Sequence, residues 1–109
     1  MGVRENKVET YLRAELKKLN GDSRKWVSPG RDGVPDQIVL GFNPIFFCEV
    51  KTTDGKLSGV QSREHERLRN LGAIVCTVWG NTGVDLLIKD LKLFNQPVEK
   101  FYGKAQNNT

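Results

Sequence analysis

At 109 residues the chain has the length of one domain, which excludes two independently folded catalytic units. Its 38% apolar and 28% charged residues are a globular balance and exclude a disordered chain. Seventeen Lys and Arg against thirteen Asp and Glu leave a net charge of +4, which favours a polyanionic partner without identifying it. Val8, Leu12, Leu16 and Leu19 recur at helical spacing before the stop Asn20-Gly21, so an amphipathic helix is expected over 4–19. A short strand is expected over 24–28, followed by the turn-rich Ser28-Pro29-Gly30-Arg31-Asp32-Gly33. Residues 37–40 and 45–51 read as two strands of a β-hairpin joined through Gly41-Phe42-Asn43-Pro44. A helix is expected over 58–71, ended by Gly72, then a strand over 73–79 and a last helix over 84–94. The crossover through the second helix is long enough to make the strands on either side of it parallel, so the fold class is α/β, a mixed β-sheet flanked by helices. Residues 1–102 are expected to form one domain and 103–109 a disordered tail.

No window approaches the roughly 18 apolar residues of a membrane span, and the polar start lacks a signal peptide's apolar stretch. A soluble, cytoplasmic protein with no membrane partner is expected. Cys48 and Cys76 lie in apolar runs without a C-x-x-C partner and read as buried thiols of a reducing compartment. His65 is the one histidine, too few soft ligands for structural zinc, while carboxylates remain for a hard cation.

Residues 45–51 are apolar on both faces and then abruptly charged, as expected of a central strand whose end emerges at a functional edge. Alternation puts Glu49 and Lys51 on one side and Val50 on the other. The hairpin brings Pro35-Asp36, at the start of one strand, beside the end of the next, so Asp36 is expected close to Glu49. Two converging carboxylates, the Val50 carbonyl and waters suit the octahedral shell of magnesium or manganese. Such a metal activates water and neutralises charge on a scissile phosphate, while the Lys51 ammonium assists at phosphorus. The triplet suits phosphodiester hydrolysis, yet E-x-K is a common string and a solvated strand-end ion pair also accounts for it.

The wider arrangement is Gly33-Val34-Pro35-Asp36, then Glu49-Val50-Lys51 thirteen positions after the aspartate, then Leu57-Ser58-Gly59-Val60-Gln61 opening a helix. This resembles the VRR-NUC family, the virus-type replication-repair nucleases of the PD-(D/E)xK superfamily, most closely its stand-alone phage members, over roughly residues 8–91. The resemblance implies a restriction-endonuclease-like core of order α-β-β-β-α-β with a C-terminal helix. It implies that Asp36 and Glu49 are metal ligands, that Val50 lends its carbonyl oxygen, and that Lys51 is the catalytic lysine. Gln61 matches the family's catalytic glutamine, which orients the lysine or the attacking water. The same residue fits a capping box with Ser58, and the reading favours catalysis, leaving the cap to Ser58. Glu9 matches the acidic residue on the first helix, a further catalytic and metal-ligand candidate at the border of the Leu12 and Leu16 stripe. Glu5, one turn earlier, is its weaker substitute, and a surface carboxylate is the plain alternative for Glu9. His65, one turn after Gln61, is read as a packing residue.

In the loop before Pro35, Arg31 and Ser28 are candidate DNA contacts, although glycine geometry alone explains the turn. Lys56, Arg63 and Arg67 would extend the DNA-binding surface, while Arg63, Glu64, Glu66, Arg67 and Arg69 also read as a solvated helix face. The expected activity is that of a Mg2+-dependent DNA endonuclease, with Mn2+ able to substitute. The resemblance suggests branched or Holliday-junction DNA, in phage replication, recombination or repair inside a bacterial host. Incising two strands symmetrically needs two protomers, so a homodimer is expected. Leu86, Leu87, Leu91, Leu93, Phe94 and Phe101 serve as its surface or as core. The alternatives are a catalytically silent nuclease-fold DNA-binding module and a subunit working with replication or repair partner proteins.

Overall fold

Val8, Leu12 and Leu16 form one stripe of α1 (Val3–Lys17) and are buried, as their spacing requires. The computed structural model describes the backbone of residues 3–103 and the side chains of residues 6–103. The Glu5 side chain and residues 104–109 of the expected tail lie outside the described residues. After α1 come β1 (Asp22–Lys25), β2 (Gln37–Leu40), β3 (Phe46–Lys51), α2 (Gly59–Asn70), β4 (Val75–Trp79), α3 (Gly80–Phe94) and β5 (Phe101–Tyr102). The strands form one mixed sheet in the order β1-β2-β3-β4-β5. The β1/β2 and β2/β3 pairs are antiparallel, while β3/β4 and β4/β5 are parallel. This is the α/β architecture expected, with the hairpin and the crossover both present.

Register decides what each face carries. Val39, Phe46, Cys48, Val50, Cys76 and Val78 share the face covered by α1 and α3 and form one buried cluster with their leucines. Phe47, Glu49, Lys51 and Thr77 share the opposite face, where α2 lies. Cys48 and Cys76 are neighbours across β3 and β4 as buried free thiols. Among the described residues no helix is long and apolar enough to cross a membrane.

Several boundaries differ from expectation: α1 ends at Lys17 rather than 19, β4 starts at Val75 rather than 73, and β1 and α3 differ more. β1 covers Asp22–Lys25 rather than 24–28, because its pairing with the four residues of β2 ends at Lys25↔Gln37. α3 starts at Gly80, four residues before position 84, with no side-chain cap at Trp79. Packing overrides the weak helix propensity of Gly80-Asn81-Thr82-Gly83. The short β5 was not anticipated. Two residues carry no periodic signal, and β5 is set by pairing to Thr77 and Val78 and by its tyrosine. The Tyr102 hydroxyl donates to Asp90 Oδ2 at 2.7 Å and accepts from the Val98 and Glu99 N–H groups. Leu87 and Leu91 belong to the core, whereas Leu86, Leu93 and Phe94 are exposed.

Glycine at position 83 makes the α3–β5 contact possible, since a Cβ there would lie 2.5 Å from the Tyr102 carbonyl oxygen. Gly83→Ala is therefore expected to lower unfolding free energy by about 1–3 kcal/mol through overpacking, measured by urea denaturation. Helix propensity alone favours alanine by about 1 kcal/mol, so a stabilised variant would refute this packing.

Candidate active site

The Gln37↔Cys48 pairing, continued one step, puts Asp36 opposite Glu49 on the α2 face. Asp36 Oδ1 accepts the Val50 N–H at 3.2 Å, which ties the carboxylate to the end of β3. Within a strand, one residue's N–H and C=O point toward the same neighbour. The Val50 carbonyl thus faces the start of β2, where the next partner in register is Pro35, which has no N–H to give it.

Burial, reinforced by the charge of Glu49 and then of Glu9, pushes the Asp36 carboxyl up to about 8. The Val50 N–H and Lys25 act in the other direction. Lys51 Nζ lies 3.9 Å from Glu49 Oε2, with its side chain largely buried. Asp36, Glu49, Lys51, Lys56, Ser58 and Gln61 all line one open cleft of about 580 Å³.

The cap is not left to Ser58 alone, because Gln61 closes the capping box and also reaches Glu49. Its side-chain oxygen accepts the Ser58 N–H at 3.0 Å, and its own N–H donates to Ser58 Oγ, completing the capping box. The amide nitrogen remains, and donates to Glu49 Oε2 at 3.1 Å. The helix start is thereby fastened to the carboxylate.

Glu9 is buried and inward, not a surface carboxylate, with Lys25 Nζ 3.7 Å from its Oε2. It faces Asp36 electrostatically but does not line the cleft. Arg31, Arg63 and Arg67 gather in a second cavity adjoining the cleft, while Lys56 is in the cleft itself. Ser28 lines neither; its carbonyl accepts the Arg31 N–H and so shapes the turn. Gly33, at φ 86°, lets that loop press on α2, since a Cβ there would lie 2.8 Å from the Val60 carbonyl oxygen.

The solvated reading of α2 needs correction at Glu64 and Arg69. Glu64 is 3% exposed and accepts from both Arg31 and Arg67. Arg69 is also drawn in, donating twice to the Val75 carbonyl. His65 is 1% exposed, with Nε2 3.7 Å from Glu49 Oε1. Burial, then the cations Arg69 and Lys51, push its pKa down to about 4, so the ring is neutral at pH 7. Residues 61, 64, 65 and 68 lie on one face of the helix at i, i+3, i+4, i+7, a face whose mostly polar residues carry no apolar signal in the sequence.

Ser58→Ala and Gln61→Ala are each expected to cost about 1 kcal/mol of stability. Because the two side chains close one reciprocal box, the double variant should lose less than the sum. Strictly additive urea-denaturation losses would contradict that coupling.

No family model matches the chain. A candidate nuclease, p44, of Acyrthosiphon pisum secondary endosymbiont phage 1 is 45% identical over 71 residues, covering 64% of this chain and 76% of that protein. A solved VRR_NUC domain is similar at a TM-score of 0.73 and 39% identity, covering 81% of this chain and 97% of that one.

Proposed function

This chain belongs to the VRR-NUC family of nucleases, and on that premise we propose that it is a divalent-metal-dependent DNA endonuclease working through Asp36, Glu49 and Lys51. The observation that carries the proposal is the opposition of Asp36 and Glu49 across two strands, with Lys51 beside them in one cleft. A carboxylate whose proton affinity is raised by burial and by a neighbouring carboxylate marks a site that a cation relieves. Among the described residues, no group of three or more His, Cys, Asp and Glu side chains is placed to hold a metal. The donor set is then two carboxylates, the Val50 carbonyl and water. Magnesium ordinarily takes one or two carboxylates and keeps several waters, so the residues fit Mg2+, with Mn2+ able to substitute. Glu9 contributes from behind, through its field on Asp36.

When bound, the cation supplies Lewis-acid neutralisation of charge on the scissile phosphate. Lys51 holds a positive charge at the cleft, where negative charge gathers on the phosphoryl oxygens in the transition state. Gln61 keeps the Glu49 carboxylate oriented through its amide hydrogen bond. Overall, a water oxygen bonds to phosphorus and one P–O ester bond breaks. The products are a phosphomonoester end and a hydroxyl end.

One cleft cuts one strand, so symmetrical incision of branched or Holliday-junction DNA takes two copies. Leu86, Leu93 and Phe94 are 44%, 64% and 55% exposed on α3, apolar area that supports a homodimer. The phage relative supports a phage setting, where the proposed role is in replication, recombination or repair in the host cytoplasm.

Wild-type protein is expected to cleave DNA in magnesium or manganese and to stop when the ion is chelated. Asp36→Ala, Glu49→Ala and Lys51→Ala should each lose about 100-fold or more in rate. Equal cleavage by all four proteins overturns the reading. Light scattering should give a dimer mass at assay concentrations, and a monomer mass would remove the two-copy model.

A further inference from the structure

The second cavity, about 360 Å³, is lined by Arg31, Arg63, Glu64 and Arg67 and shares Asp32 and Val60 with the cleft. A buried carboxylate is costly unless it is paired, and one arginine suffices to neutralise it. Glu64 has two. Arg31 Nη1 lies 3.2 Å from Oε1, and Arg67 Nη1 bonds the same oxygen. The two guanidiniums come from different elements, the 28–33 loop and α2. Each guanidinium has five N–H donors, and both side chains remain 54% exposed beyond the bond to Glu64. The group of three carries a net positive charge, with its anion inside and its cations outside.

We propose that Glu64 is a positioning residue that gathers Arg31 and Arg67 into a clamp for one backbone phosphate of the DNA strand, next to the scissile phosphate in the Asp36 and Glu49 cleft. The proposal rests on the nuclease reading above. Two fixed guanidiniums suit the planar, bidentate recognition of a phosphate, and a buried partner removes the rotamer freedom they would otherwise lose on binding. The loop is anchored where it must be, since Gly33 lies against the Val60 carbonyl. Arg63 lies over Gly59 at the start of α2, adding a cation to the cavity rim. Asp32 is on the rim common to both cavities.

The test is binding of a labelled DNA duplex across a salt series with a chelator present, so that no cleavage occurs, together with steady-state cleavage in magnesium. Arg31→Gln and Arg67→Gln should each weaken binding several-fold and reduce the steepness of log K against log salt by about one, the contribution of one phosphate. The double variant should reduce it by no more than either single. Glu64→Ala removes a negative charge, so net charge alone predicts tighter binding and a steeper slope. The clamp predicts the opposite, with KM raised about tenfold and kcat within about twofold of wild type. Should Glu64→Ala not fold, Glu64→Gln and the two arginine variants decide. Unchanged slopes, additive slopes, or tighter binding by a Glu64 variant each overturn the clamp. Because binding is read without catalysis, a wild-type protein that shows these slopes but never cleaves defeats the nuclease reading and spares the clamp.

Discussion

Two carboxylates held face to face, largely out of water, are the constraint around which this protein is arranged. Asp36 and Glu49 have no freedom to separate, because the β2/β3 register sets their backbones opposite one another. Their mutual repulsion and burial favour the protonated form of Asp36. The neighbouring groups answer that stress. The Val50 N–H binds Asp36, the Gln61 amide binds Glu49, Lys51 lies beside Glu49, and Lys25 faces Glu9. Each of these positive groups offsets part of the repulsion, and both carboxylates line the cleft, where a divalent cation would offset more of it.

Such a site detracts from stability, and the sheet separates it from what holds the fold together. The apolar cluster lies wholly on the α1/α3 face, with Leu12, Leu16, Phe46, Val50, Val78 and Leu87 fully buried. The α2 face instead buries Glu49, Glu64, His65 and Thr77. Alternation along β3 makes the division possible, because Val50 enters the core while Glu49 and Lys51 on either side of it face the cleft. A one-residue slip would exchange the two sets and lose both core and site.

Much of this was legible in the sequence because hairpin and strand alternation are local rules. From them follow the proximity of Asp36 and Glu49 and the shared face of Glu49 and Lys51. Gln61 was harder, because capping and site roles compete in a one-dimensional reading. An amide has two ends, and only the three-dimensional placement of β3 shows that the nitrogen is left for Glu49. Glu64 was misread for another reason. Charged residues on helices are usually solvated, and three of the four inward positions 61, 64, 65 and 68 are polar, so no apolar periodicity marks that face in the sequence. β5 and the first turn of α3 had no local signal, since tertiary pairing creates the one and packing against Tyr102 supports the other.

The same burial pattern changes the meaning of net charge. The tally of +4 counts every acid equally, but Glu9, Glu49 and Glu64 are nearly removed from solvent and matched by neighbouring cations or hydrogen-bond donors. Arg31, Lys56, Arg63 and Arg67 remain exposed around the two cavities. A polyanion approaching this face meets these four cations before Glu49 and Glu64, and counterion release depends on the cations it can reach. Modest overall charge is therefore compatible with a locally basic surface, because the acids lie beneath it and fix the geometry of the cations above.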